Sequence, residues 1–459
     1  MLMRDVYQME HADGGEIRLV DPNVEHAQAV ADMLSKFNEL RGKDYQISVT
    51  AHRQTALKNA DFVLSTFSPG AMDAFYNDLE IPIRYGIRQP VSMTVGPCGS
   101  SAALRTCSEA FDLVNDMEKA CPGAVLLNVT NPMTAVTRAM NMATKTIKVI
   151  GMCHEFHYLE KYIGQAIGLP RPQEMNILNY LYAYLPSQGL DYEIAGINHF
   201  IWVTRAILNG RDMLPVIREY ARTRLNHPGI AGEVDIQKAR ENFAKFTLCD
   251  VFGYMPLVGD RHLIEFMPSL CNQRTGWGME YGVKKTVVAE RILGKKKSLQ
   301  EIRDIASGQQ AVQWDSSSEE MTVIMDALLA GKSTTGIMNL PNHGQIANLP
   351  KGSVVETLAD IDPDGNITPR QTGELPRSIA VICQLQLQII DMIIEASLEG
   401  NRELFIEALV LDPLCADASL RQISNMADEL LFANRFWLPR FYPDIDPADH
   451  QNKSMAFYF

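Results

Sequence analysis

Ile147-Lys148-Val149-Ile150-Gly151-Met152-Cys153-His154-Glu155-Phe156 is the stretch on which the reading of this chain turns. Its first four residues make a short apolar run of the kind that forms a buried strand. The run closes on a glycine, and a cysteine, a histidine and a carboxylate follow at once. In open α/β sheets ligands collect at the carboxyl ends of strands. A second polar group, Gly196-Ile197-Asn198-His199-Phe200, follows another strand-like stretch. Cys153 and His199 are therefore read as two ligands of one metal ion. Thiolate plus imidazole suggests zinc or iron on softness alone. Taken singly, a cysteine is more often a small buried apolar group, and a histidine a satisfied core residue.

Upstream of this stretch, strand and helix alternate. Glu16 to Asp21, Gln46 to Thr50, Ala60 to Thr66 and Ala124 to Asn128 read as strands. Helical patterns separate them, from Asn23 to Leu40, Leu104 to Ala120 and Met133 to Ala143. That alternation predicts an α/β fold with a doubly wound, Rossmann-like parallel sheet and right-handed crossovers. Downstream the pattern turns mostly helical, with strands near Glu193 to Gly196 and Ile201 to Leu208 and a long apolar helix from Arg377 to Glu399. The predicted division is a dinucleotide-binding domain over 1–152 and a mixed α/β, helix-rich catalytic domain over 153–459. The Pro- and aromatic-rich tail, Phe432 to Phe459, is expected to pack on the body or on a second subunit.

Composition bounds the function. The chain has 459 residues, 46% hydrophobic and 21% charged, with a net charge of −13. No block of like charges stands out, which argues against nucleic-acid and anionic-membrane partners. No uninterrupted apolar stretch reaches the roughly 18 residues of a membrane span. The N-terminal residues do not read as a signal peptide. Eight cysteines lie scattered without a CxxC pair. That argues against a disulfide scaffold and a zinc ribbon, and a reducing cytoplasm fits best.

Asp21 ends the first visible strand. In dinucleotide-binding folds an acidic residue there accepts hydrogen bonds from the adenosine ribose. The bland alternative is a loop-starting Asp before Pro22. No G-x-G-x-x-G turn precedes it, so the first βα unit reads as truncated and the phosphate-cradling amides are not found. Farther on, Val258-Gly259-Asp260-Arg261-His262-Leu263-Ile264-Glu265-Phe266 packs an Asp, an Arg, a His and a Glu among apolar residues. Such groups are costly to bury without partners, which marks either a site or a structural ion-pair network.

In this order the motifs resemble glycoside hydrolase family 4. They are Asn128-Val129-Thr130-Asn131-Pro132-Met133, Gly151-Met152-Cys153-His154-Glu155, Gly196-Ile197-Asn198-His199-Phe200, Gly259-Asp260-Arg261-His262 and Asn339-Leu340-Pro341-Asn342-His343-Gly344, then Asn348-Leu349-Pro350 and Val355-Glu356. Each is weak alone, and the ordered set is specific. The Cys-His-Glu form is most similar to the α-galacturonidase branch. The resemblance implies a glycosidase outside the two-carboxylate scheme, dependent on NAD⁺ and a divalent metal, usually Mn²⁺. It implies transient oxidation at C3 of the sugar, metal-assisted removal of the C2 proton, elimination, water addition and re-reduction. It also implies a homodimer or homotetramer acting on a small glycoside.

Carried onto this chain, the resemblance makes Cys153 and His199 the metal ligands. Asp260 lies where the C2 base is supplied, with His262 as a rival. His154 follows the metal cysteine, where an imidazolium could protonate the leaving group. Asn131, Asn198, Arg105 and Arg261 are candidate substrate contacts. Asp21, Ser68, Pro69 and Asn128 are candidates for the cofactor. The loop Ser92-Met93-Thr94-Val95-Gly96-Pro97-Cys98-Gly99 departs from the family pattern, with Met93 and Cys98 in place of a carboxylate and a glycine. Two other readings stay open. One is a 2-hydroxy-acid or sugar dehydrogenase on the same fold. The other is a non-catalytic member with weakened NAD⁺ binding.

Overall fold

The computed structural model describes residues 2–226, 240–314 and 320–446. The end of the aromatic tail, 447–459, lies outside the described residues. Strands β1 (Gly14–Val20) and β2 (Asp44–Thr50) pair in parallel as a small sheet of their own. Strands β3 (Phe62–Ser65), β4 (Val125–Asn128) and β5 (Lys148–Gly151) are parallel neighbours at one end of a ten-stranded sheet. That sheet continues through β6 (Leu190–Ile197), β7 (Phe200–Leu208), β8 (Arg211–Asp212), β9 (Met255–Pro256), β10 (Thr334–Pro341), β11 (Val354–Ile361) and β12 (Ile367–Pro369). The spatial order is β3-β4-β5-β10-β11-β6-β7-β8, with β12 beside β11 and β9 beside β7.

Strands β4 and β5 are buried on both faces, as an open α/β sheet requires. Leu126 and Val149 face a core built with the helices Gly96–Ala120, Met133–Ala143 and Arg377–Glu399. Leu127 and Ile150, one residue on, face a second core with Tyr7, Leu34 and Phe37. The period of two along each strand puts successive side chains on opposite faces.

The sequence reading holds for the parallel strands and their helices. It differs at two places. First, β5 pairs antiparallel with β10 through Gly151 and Asn339, so one sheet runs across the expected division at residue 152. Polar Asn339 and Gly336 break up the apolar signal of β10, and its partner comes from far along the chain, so no local pattern announced the join. Second, β1 pairs only with β2, and β3 only with β4, so the predicted doubly wound sheet is divided between two sheets. The tail behaves as expected as far as it is described: Leu438, Phe441 and Tyr442 pack into the main core.

Candidate metal and substrate site

One row of residues crosses the large sheet at the carboxyl ends of its parallel strands. Ser65 stands opposite Asn128, Asn128 opposite Gly151, Gly151 opposite Asn339, Asn339 opposite Glu356, and Glu356 opposite Gly196. In-register partners share a face, so this is a buried polar seam. Ser65 donates to Asn128 Oδ1 at 2.7 Å, and Asn128 Nδ2 donates to Thr137 Oγ1 at 3.0 Å. The sequence offered Asn128 as a cofactor contact. Here it is fully buried and its side chain ties β3, β4 and the helix Met133–Ala143 together.

Gly151 has to be glycine. A Cβ there would lie 2.5 Å from Thr137 Oγ1 and 2.9 Å from Asn339 Cβ. Gly151→Ala is therefore expected to force β5 and β10 apart at a cost of about 1–3 kcal/mol. The variant's urea midpoint should fall, and an unchanged midpoint would mean that the seam is loosely packed.

Beyond the seam the loops converge. Cys153 is half-buried just after β5. Burial first, then the Glu356 and Glu155 carboxylates, push its thiol well above the usual range. A divalent cation reverses that balance, because a coordinated thiol deprotonates. His199 sits in the turn between β6 and β7 with φ +62°, a left-handed conformation rare outside glycine. Its ring is buried, and Nδ1 lies 2.7 Å from Thr94 Oγ1. That contact leaves Nε2 available to coordinate, in the pattern by which an outer partner orients an imidazole for a metal. Burial holds the ring far below its usual pKa, so it is neutral and ready to coordinate.

The residues behind this pair suit a metal. Asn198 donates to Glu356 Oε2 at 3.2 Å and also lowers the Cys153 thiol by hydrogen bonding. Asn198 Oδ1 and Glu356 Oε1 are buried with no partner among the described residues. Burial raises the Glu356 carboxyl to about 7, against the pull of Asn198. Cys153 and His199 are two donors, which leaves coordination positions open for oxygens of a sugar. Among the described residues the one group of three metal-type ligands lies elsewhere, at Glu10, His11 and Asp326. There the Lys332 ammonium, 3.3 Å from His11 Nε2, competes with a cation.

Glu155 joins the post-β5 loop to the 258–266 segment, its Oε2 accepting from Gly259 N at 2.6 Å. His262 then lies against His199, ring centroids 3.9 Å apart. Burial depresses His262 to about 4, so at neutral pH it is an uncharged imidazole whose buried Nδ1 has no partner. Asp260 turns to a different neighbour. Its two oxygens accept from Ala244 N and Lys245 N at 2.9 and 3.2 Å, capping the helix Phe243–Phe252. Burial raises this carboxyl to about 6, opposed by the Lys245 charge. Lys245 is itself fully buried, its Nζ without a hydrogen-bond partner, 3.8 Å from the Tyr158 ring centroid and 4.4 Å from that of Tyr162. A lysine inside Phe243-Ala244-Lys245-Phe246 was the available signal for it.

The other predicted residues divide. His154 is exposed at the rim, close enough for its charge to act on His199 and His262. Asn131 precedes a cis peptide to Pro132, and its Oδ1 accepts from Met133 N at 3.3 Å. Arg105 is spent inside the fold: its guanidinium makes two bonds to Asp78, at 3.0 and 2.6 Å, and others to Pro69 and Ser101 carbonyls. Pro69 thus serves as an acceptor for Arg105, and the Ser68 carbonyl accepts from Ala71 N. For a dinucleotide, the residue just after β1 is exposed Asp21, one oxygen of which accepts from Asn23 N at 2.7 Å. An exposed carboxylate in that position could accept from a ribose hydroxyl. No glycine-rich turn for the diphosphate is found among the described residues, so the fit is partial.

Glu265, the carboxylate in the same segment, supports the loop that carries Thr94. Its Oε1 accepts from Val91 N and Ser92 N at 2.7 and 3.0 Å, and burial lifts it to about 7. An unfolded glutamate titrates near ~4.3. Between those values the folded chain holds the extra proton, so this carboxyl lowers stability as pH rises through the window. Glu265→Gln keeps an acceptor for both amides and cannot ionise. The difference in urea midpoint, variant minus native, should rise between about pH 5 and about pH 8. A constant difference would show that Glu265 titrates normally.

Known proteins carry the same arrangement of chain. The profile described as family 4 glycosyl hydrolase matches residues 1–169, and that of the family's C-terminal domain matches 194–415. An alpha-galacturonidase of Lachnoclostridium phytofermentans is 30% identical over 94% of this chain and 92% of its own length. An alpha-galactosidase of Bacillus subtilis is 30% identical over 96% of each. A Bacillus subtilis structure described as the glucosidase lplD superposes with a TM-score of 0.81 at 27% identity, covering 94% of this chain and 96% of that one. A 6-phospho-alpha-glucosidase from gut microorganisms, solved with NAD and Mn²⁺, shares the fold at a TM-score of 0.73 and 19% identity, covering 93% and 92%.

Proposed function

Because the chain belongs to glycosyl hydrolase family 4, we propose that it hydrolyses α-glycosides, foremost α-galacturonides, with NAD⁺ and a Mn²⁺-type divalent ion as cofactors. The observation that carries the reading is Asn198, which bonds the Cys153 thiol while the next residue in the chain, His199, is fixed on Thr94. Several relatives named alpha-galacturonidase support the substrate class.

When bound, the two cofactors supply a transient hydride acceptor and an electrophile that acidifies the carbon next to the oxidised one. The chain's own residues do the rest. Cys153 and His199 hold the ion. Asn198 keeps the ligand set in place from behind and, with Asn131 and Arg261, orients the sugar. His262, neutral at pH 7 with a free ring nitrogen, can take the C2 proton. Asp260, near pKa 6, is its rival, and it would act while still bound to two amides. His154 gives a proton to the departing oxygen in this reading. Asp21 would hold the ribose end of the cofactor, with Ser68 and Pro69, just after β3, as further candidate contacts.

The test is release of 4-nitrophenol from its α-D-galacturonide. Release should need both NAD⁺ and Mn²⁺ and should stop on chelation. Hydrolysis that persists after both are removed would sink the reading. So would net accumulation of NADH, which belongs to a dehydrogenase.

A further inference from the structure

Lys245 is fully buried, and its Nζ has no hydrogen-bond partner among the described residues. Two stacked tyrosine rings, 5.7 Å apart and 14° from parallel, cage it: the Tyr158 centroid lies 3.8 Å from Nζ and that of Tyr162 4.4 Å. Ring faces attract a cation more strongly once water is excluded. They leave its charge whole, and a buried charge needs an opposite one. The fold places a carboxylate on the same residue. Asp260 accepts from Ala244 N and Lys245 N at 2.9 and 3.2 Å, which seats it on the first turn of the helix Phe243–Phe252. Tyr158 closes the cluster from the other side. A Cβ on Gly259, the neighbour of Asp260, would lie 3.5 Å from Tyr158 Oη and 3.3 Å from Glu155 Oε2, the oxygen that accepts from Gly259 N. Burial lowers Lys245; of the surrounding charges Asp260 opposes that most, then Glu155, while Lys161 adds to it and Glu241 opposes it weakly. Beyond Asp260, His262 N and Leu263 N bond the Gly259 carbonyl at 3.0 and 3.1 Å, in the turn that lays the His262 ring on His199.

We infer that Lys245 is a positioning residue for the reaction: caged by Tyr158 and Tyr162, its ammonium is the counter-charge that locks the Asp260 carboxylate onto the helix and so holds the 259–262 turn, with His262, against the site. An ionised carboxylate is a strong acceptor for two amides, and a protonated one is weaker. Burial works against the ionised form of Asp260, and the Lys245 charge works for it. Whichever of Asp260 and His262 takes the C2 proton, the same turn carries both. Lys245, enclosed in the core, acts only through that turn. The inference rests on the proposed glycosidase reading for its place in the reaction.

The experiment uses the full chain, native and as Lys245→Met and Lys245→Arg. First, kcat/KM for 4-nitrophenyl α-D-galacturonide is measured with NAD⁺ and Mn²⁺ between about pH 5 and about pH 9. Without the counter-charge the acid limb in Lys245→Met should move up by about one pH unit, roughly a tenfold extra loss on the acid side relative to pH 8. Arginine is always charged and stacks on aromatic faces, so Lys245→Arg should keep the limb within about 0.3 unit of native. Second, the Asp260 carboxyl is titrated by ¹³C NMR in the free protein, its resonance assigned by its loss in Asp260→Asn. Its midpoint should rise by about one unit in Lys245→Met and stay near the native value in Lys245→Arg. A loss of activity in Lys245→Met that is the same at every pH belongs to packing alone and would overturn the inference, as would an unmoved Asp260 midpoint. Should Lys245→Met fail to fold, Lys245→Gln takes its place with the same readings. If the native chain cleaves no glycoside while the Asp260 midpoint follows the charge at 245, the glycosidase reading fails and the lock on the 259–262 turn stands.

Discussion

Cys153→Ser should lower kcat/KM for an α-galacturonide by about a thousandfold or more and leave the fold intact. That loss corresponds to roughly 4 kcal/mol of transition-state stabilisation. The reason lies in what the thiol does. It is raised above its usual pKa by burial and by Glu356 and Glu155, so without a cation it is a neutral group with little to do. With a cation it supplies both charge and a soft donor, neither of which a serine hydroxyl replaces. Cys153 is only half-buried and follows β5, so the exchange removes little packing. Mn²⁺ affinity should fall together with activity, while the unfolding free energy of the metal-free protein, from urea denaturation, stays within about 0.5 kcal/mol of the native value. Undiminished Mn²⁺ binding would place the ion elsewhere.

Arg105→Met is expected to have the largest effect on stability, about 3–5 kcal/mol. Arg105 and Asp78 are 4% and 1% exposed, and the ion pair between them is two-pronged. Ser101 and Asn434 complete the network, each bonding Asp78 Oδ1, at 2.7 and 3.0 Å. Removing the guanidinium strands a carboxylate in the core. Its partner change, Asp78→Asn, should restore much of the loss when combined with Arg105→Met, because the isolated charge is then gone. Denaturation in urea measures both. The assignment of Arg105 to structure also predicts that folded Arg105→Met binds galacturonate as the native chain does. A selective loss of acid-sugar binding would return Arg105 to the substrate.

The parallel part of the fold was legible because each strand there is a short apolar run followed by a helix of clear period. Met133–Ala143 and Arg377–Glu399 appear with the predicted bounds. The join between β5 and β10 was not legible, because Gly151 and Asn339 are paired by tertiary contact across much of the chain. At the site, Cys153, His154, Asn198, His199, Arg261 and His262 were readable as chemistry-bearing residues in ordered motifs. Their supports were not. Thr94 orients His199 from a loop whose departures from the family pattern drew attention to other positions. Glu356 was part of a motif, but its place behind Asn198 depends on sheet register. Asn128 and Arg105 carry the opposite lesson. Polar residues inside a motif can be there to hold strands and helices together.

The most direct test of the account is turnover of an α-galacturonide in D₂O with NAD⁺ and Mn²⁺, with the product examined by NMR. Removal of the C2 proton by His262 or Asp260, followed by addition of solvent, predicts deuterium at C2 of the released sugar. Product formed at full rate with only hydrogen at C2 would contradict the elimination chemistry and with it the roles given to Cys153, His199 and His262.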